Sequence, residues 1–151
     1  MRETKQCGDV LRFCKVRPVK SPTRAHVGDA GVDFYVPDDF EGCWVQPQCD
    51  VLIPSGIKVE VPSGWALVMM SKSGIATKHR LLVGACVVDH GYEGEVHLHV
   101  VNAGGLPVHI TPGMKLVQGV LLPVGLHQPA EVDAIRVGSA RGDGGFGSTG
   151  L

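Results

Sequence analysis

The chain has few aromatic residues, little net charge and no long apolar run, and each shortage narrows its function. Aromatics make up only 5% of the 151 residues, so the place of each ring carries information. The formal net charge of −1 excludes a broad nucleic-acid-neutralising surface, which needs a basic balance. A phosphate ligand would have to be met locally, by a few cations, backbone amides or a metal. No run approaches the length of a membrane span. The opening residues Met1-Arg-Glu-Thr-Lys-Gln-Cys-Gly8 lack an apolar core, so no signal peptide is expected there. The five cysteines (Cys7, Cys14, Cys43, Cys49, Cys86) are odd in number and show no C-x-x-C spacing. That pattern reads as reduced thiols in a cytoplasmic protein. The histidines form no H-x-x-x-H pair, and His97 and His99 are expected on opposite faces of a strand, poorly placed to share one metal.

What is present reads as a single all-β domain. Hydrophobic residues reach 44%, enough for a real core in a chain of this length. Glu95 to Val100 alternates with period two, as a half-buried strand does. Further short apolar runs span Val10 to Val16, Val51 to Ile53, Gly56 to Val61, Trp65 to Met70 and Leu116 to Leu122. Turn signals separate them, among them Pro54-Ser-Gly56, Pro62-Ser-Gly64 and Pro112-Gly113. Many short strands at close spacing predict a jelly-roll-like β-sandwich or barrel. The one helix candidate is Ser73 to His79, with Ser73 as its cap. The domain is expected to cover residues 1–137, with a glycine-rich arm over 138–151.

The arm is the most informative stretch. Residues Arg141-Gly-Asp-Gly-Gly-Phe146-Gly147-Ser148-Thr149-Gly150 are too rich in glycine to form a core. Yet they carry a guanidinium, a ring and two hydroxyls. The ring suits stacking on a flat base, and the arginine, hydroxyls and glycine amides suit phosphate. The plain alternative is a frayed terminus. Three further segments are ambiguous singly. Asp33, at the edge of an apolar run, reads first as a turn aspartate. Val87 to Val96 reads as a β-hairpin, with Asp89 ending an apolar strand and Tyr92 at the turn. Gln118, in an otherwise apolar strand, needs a partner if buried.

Taken together and in order, these segments resemble the trimeric dUTPase family. The resemblance spans roughly residues 10 to 150 and rests on five motifs: Ala30-Gly-Val-Asp33; Ser71-Lys-Ser-Gly-Ile-Ala76; Cys86-Val-Val-Asp89 through Tyr92 and Gly94; Gly113-Met-Lys-Leu-Val-Gln118; and Arg141 through Gly150. It implies a jelly roll, a homotrimer with each site built from three chains, and hydrolysis of dUTP to dUMP and pyrophosphate with Mg²⁺ on the triphosphate. That reaction keeps uracil out of DNA and supplies dUMP for dTMP synthesis. The resemblance gives Asp89 the attacking water and Tyr92 the face of the deoxyribose. Cys86, Val87 and His97 would read uracil through backbone groups. Lys72, Ser73, Gly74 and Gln118 would meet the phosphates. Arg141, Ser148 and Thr149 would hold the γ-phosphate, with Gly147 beside them, and Phe146 would stack on the base. Asp33 would act on the metal indirectly, through water.

The chain departs from the family pattern at four points. Lysine stands at 72 where arginine is usual, Cys86 replaces glycine, Gly91 replaces an acid, and Met114 replaces an aspartate. A cysteine at 86 keeps a backbone contact only if its φ is not strongly positive. Two other readings share the scaffold. One is a nucleotide sensor with reduced catalysis. The other is a dCTP deaminase, which would need a general-base glutamate where this chain has His99.

Overall fold

The computed structural model describes residues 10–135 and Gly138. Along the chain the strands are β1 (Arg12–Lys15), β2 (Gly31–Tyr35), β3 (Cys43–Val45), β4 (Asp50–Pro54), β5 (Ile57–Glu60) and β6 (Trp65–Ser71). The helix α1 (Ser73–His79) follows, then β7 (Leu81–Val83), β8 (Val87–Val88), β9 (His97–Asn102), β10 (Val108–Ile110) and β11 (Lys115–Pro123). The ladders are antiparallel and make four small sheets, ordered β2-β11-β6-β8, β4-β9-β7, β1-β5 and β3-β10. This is the expected jelly-roll-like sandwich. Among the described residues no helix is long and apolar enough to cross a membrane.

One core joins all four sheets. Phe34, Leu67 and Val117 come from the first, Ile53, Leu98 and Val100 from the second, Ile57 from the third and Ile110 from the fourth. Period-two patterning produces this. Strand β9 buries Leu98, Val100 and Asn102 and turns His97, His99 and Val101 outward. His97 and His99 therefore share one face, and the expectation of opposite faces is wrong, because residues two apart in a strand point the same way. Asn102 is buried but fully used. Its Nδ2 donates to the carbonyls of Val45 and Leu106 at 2.9 and 2.8 Å, and its Oδ1 accepts from Gly104 N.

Three other expectations are corrected. Asp33 is no turn residue: it sits within β2, bridged by backbone hydrogen bonds to Thr23 and paired with Gln118 of β11. The apolar run around it is a buried strand. The helix has the expected span, but Lys72 occupies the N-cap position and no side chain caps it, so Ser73 is the first helical residue. The Val87–Val96 stretch reverses direction without forming a laddered hairpin. Strand β8 pairs only with β6, and β9 only with β4 and β7, so the arms join different sheets and part.

Candidate active site

That parting opens a cleft of about 240 Å³ between the arms, lined by Met69 and Ala85 to Asp89 on one side and by Tyr92 and Glu95 to His97 on the other. Strand β8 is the last strand of its sheet among the described residues, and its second edge has no strand partner among them. Cys86 gives its carbonyl to Met69 N at 2.6 Å. It is not among the non-glycine residues with positive φ, which are Gln48 and Arg80, so the condition for replacing glycine at 86 is met.

Asp89 follows β8 directly and is exposed, and its side chain has no hydrogen-bond partner among the described residues. It is a carboxylate at a cleft mouth, free to accept from a water. Its carbonyl receives Tyr92 N at 3.3 Å, closing a turn through Gly91 at φ +84°. Glycine suits that left-handed position better than the usual acid. The Tyr92 ring folds back over Gly94, where a Cβ would collide with it. The Tyr92 hydroxyl donates to Glu95 O at 3.1 Å. His97 Nδ1 lies 2.9 Å from the same carbonyl. His99 is not in the cleft. Its Nδ1 accepts from Ala85 N at 2.7 Å and its Nε2 lies 3.0 Å from Asp50 Oδ2, so both ring nitrogens are engaged. It cannot serve as the deaminase base.

A second hollow gathers Gly31, Asp33, Lys72 and Gln118 from β2, β11 and the start of α1. Asp33 is nearly buried and pairs with the ammonium groups of Lys72 and, at 3.3 Å, Lys115. The contact with Asp33 holds the Lys115 ammonium above its ordinary 10.5. The buried-polar requirement at Gln118 is met by donation to Ser71 O at 3.1 Å. Its amide lies across Gly31, where any Cβ would strike it. Three of the sequence motifs thus meet at one point. Ser73 and Gly74 stand exposed at the start of the helix. Met114 packs against the core, which accounts for a thioether where an acid is usual.

Arg141, Phe146, Gly147, Ser148 and Thr149 lie outside the described residues. Sequence reading missed Glu95, Arg17 and Lys115, which the fold brings to the site's support. No local signal marks them, since their partners are distant in the chain. Among the described residues, no three His, Cys, Asp or Glu side chains are placed to hold a metal. With Asp33 already neutralised by two ammonium groups, the donor set fits an ion carried by a polyphosphate and met through water.

Comparison with known proteins points to one family. The dUTPase family model matches residues 17–150. Deoxyuridine 5'-triphosphate nucleotidohydrolase of Gloeothece citriformis is 37% identical over 132 residues, covering 86% of this chain and 88% of its own. The Rhizobium rhizogenes protein of that name is 34% identical over 152 residues, covering 99% and 97%. A Staphylococcus bacteriophage 80alpha dUTPase solved with dUpNHpp superposes with a TM-score of 0.84 at 23% identity, over 95% of this chain and 99% of its own. A mutant dUTPase from phage phi11 of S. aureus, with TM-score 0.74 and 22% identity over 85% of this chain and 100% of its own, is described as coordinating a structural Mg(II) ion. With the cleft, the Asp33–Lys72–Gln118 cluster and a match over most of its length, this chain belongs to the dUTPase family.

Proposed function

We infer that the chain hydrolyses dUTP to dUMP and pyrophosphate by attack of water on the α-phosphorus. One observation carries this reading: a single cleft brings the free carboxylate of Asp89 beside the Tyr92 ring and the unladdered edge of β8. Asp89 would accept a hydrogen bond from the attacking water and hold it in line. The β8 edge and the neighbourhood of His97 offer backbone donors and acceptors to uracil, and the cleft walls around it would have to exclude a thymine methyl. The Tyr92 ring would lie against the deoxyribose and leave no room for a 2′-hydroxyl. Lys72, Gln118 and the amides at Ser73 and Gly74 suit the phosphates, whose oxygens gain charge as the reaction proceeds.

Mg²⁺, brought in on the nucleotide, would supply charge neutralisation at the phosphate oxygens. Asp33 would act on its water shell at a distance, while orienting Lys72. The arm, with Arg141, Phe146 and Ser148-Thr149, would close over the nucleotide of a neighbouring subunit and exclude bulk water. A homotrimer, as the family resemblance implies, would bring that arm to a neighbour, and the exposed apolar residues Leu52 and Leu82 on the outside of β4-β9-β7 are consistent with contact between copies. The cytoplasm, where dUTP is met, is the compartment this role calls for.

The test is pyrophosphate release from dUTP, dTTP, dCTP and UTP, with Mg²⁺ and with chelator. Fast metal-dependent release from dUTP alone is expected. Ammonia release from dCTP, or tight dUTP binding without turnover, would overturn the reading.

A further inference from the structure

The loop from Asp89 to Val96 has no ladder between its arms, so other contacts must fix the Tyr92 ring. Most converge on Glu95. Its carbonyl receives both the Tyr92 hydroxyl, at 3.1 Å, and His97 Nδ1, at 2.9 Å. Its carboxylate Oε1 accepts from Gly56 N at 2.5 Å and from Arg17 Nε at 2.9 Å. The next residue, Val96, bonds through its backbone to Ser55 and Ile57, on either side of Gly56. Glu95 is therefore clamped to the β4–β5 turn by side chain and to two cleft residues by main chain. Arg17 completes the clamp from 78 residues away, with Asp39 3.7 Å from its other face. The hydrogen bond to Glu95 pushes the Arg17 guanidinium pKa above its ordinary value. The carboxylate is largely shielded, at 16% side-chain exposure, whereas Tyr92 is 45% exposed and would otherwise be free to swing.

We propose that Glu95 and Arg17 form a positioning pair for sugar selection: by fixing the carbonyl that holds Tyr92, they set how closely its ring approaches the sugar and so how strongly a ribonucleotide is rejected. This rests on the reading that Tyr92 faces the deoxyribose. Neither residue touches the reacting atoms. The pair restricts a ring whose displacement would open room for a 2′-hydroxyl, and a mispositioned group is costly at an active site.

The experiment is steady-state kinetics on dUTP and UTP for the full chain and for Arg17→Met, Arg17→Lys, Glu95→Gln, Tyr92→Phe and the Arg17→Met/Tyr92→Phe double variant. Arg17→Met and Glu95→Gln are expected to lower the dUTP/UTP ratio of kcat/KM by at least about fivefold, mainly through KM, and Arg17→Met, outside the cleft lining, to keep kcat on dUTP within about twofold. Arg17→Lys should restore part of the ratio. The double variant should be no less selective than the worse single one, because both changes act through the same ring. An unchanged ratio alongside a lowered Tm would show a merely structural pair and overturn the proposal, as would fully additive losses. If Arg17→Met failed to fold, Arg17→Lys and Glu95→Gln would decide. Absence of dUTP turnover in the unmodified protein would instead refute the proposed function. The ratio of Kd for dUMP against UMP, by calorimetry, would then read the pair in the same way.

Discussion

Asp89 and Asp33 show how one carboxylate is left free while another is neutralised. Asp89 stands exposed at the cleft without a partner among the described residues, as a water-holding base must. Asp33 is nearly buried and faces two ammonium groups. Asp89→Asn keeps the shape and removes the charge. Turnover should fall by at least about a thousandfold while dUTP binding and assembly persist, measured by pyrophosphate release and calorimetry. Normal turnover would take Asp89 out of the mechanism. The Lys115–Asp33 contact carries a signed pH dependence. Because the folded protein raises the Lys115 pKa, the stabilisation is complete below the ordinary value of 10.5 and is lost as pH rises through the higher folded value. The Tm difference between the wild type and Lys115→Met should therefore be steady through neutral pH and close above about pH 10.5. A gap that stayed constant to the highest pH at which the fold survives would remove this ion pair as its source.

At the scale of elements, the site exists because neighbouring arms belong to different sheets. Strand β8 runs with β6, and β9 runs with β4 and β7, so residues 89–96 must cross between sheets and leave the cleft behind. The same separation must be held at the far end of β9, where Asn102 ties the strand to Val45 and to the turn at Gly104. Asn102→Ala would remove a fully buried amide and orphan the buried Val45 carbonyl together with the part-buried Leu106 carbonyl and Gly104 N–H. A loss of roughly 2–4 kcal/mol in unfolding free energy is expected, against little change for a surface alanine substitution. Thermal unfolding at fixed protein concentration measures it, and a loss below about 0.5 kcal/mol would show that water takes over the amide's role. Much of this scale was legible in the sequence. The alternation around Leu98 and Val100, the apolar runs of β4, β5, β6 and β11, and the whole span of α1 follow from local pattern. Strands β3, β7 and β10 have only three residues each, too few to show a period, and Asp33 hid β2 behind a residue type that favours turns.

For the whole molecule, the decisive question is what the arm does. Truncation after Ser139 should reduce kcat/KM for dUTP by at least about a hundredfold, yet leave the assembly mass near three times 16.0 kDa by light scattering. Full activity in the truncated chain would show that residues 140–151 take no part in closure. A truncated chain that fell to monomers would show instead that they hold the subunits together.

By itself the sequence determined the fold class, the single helix and the five motif segments, because these depend on residue type, spacing and local periodicity. Only the tertiary structure decided that Asp33 faces Lys72 and Lys115, that Gln118 lies over Gly31 and bonds Ser71, and that Arg17 clamps Glu95. It also decided that, of the two histidines on the outer face of β9, only His97 enters the cleft. The physical reason is distance along the chain. Hydrogen bonds and ion pairs act over a few ångströms, and partners 39, 47 or 78 residues apart come within that range only when the sheets have packed.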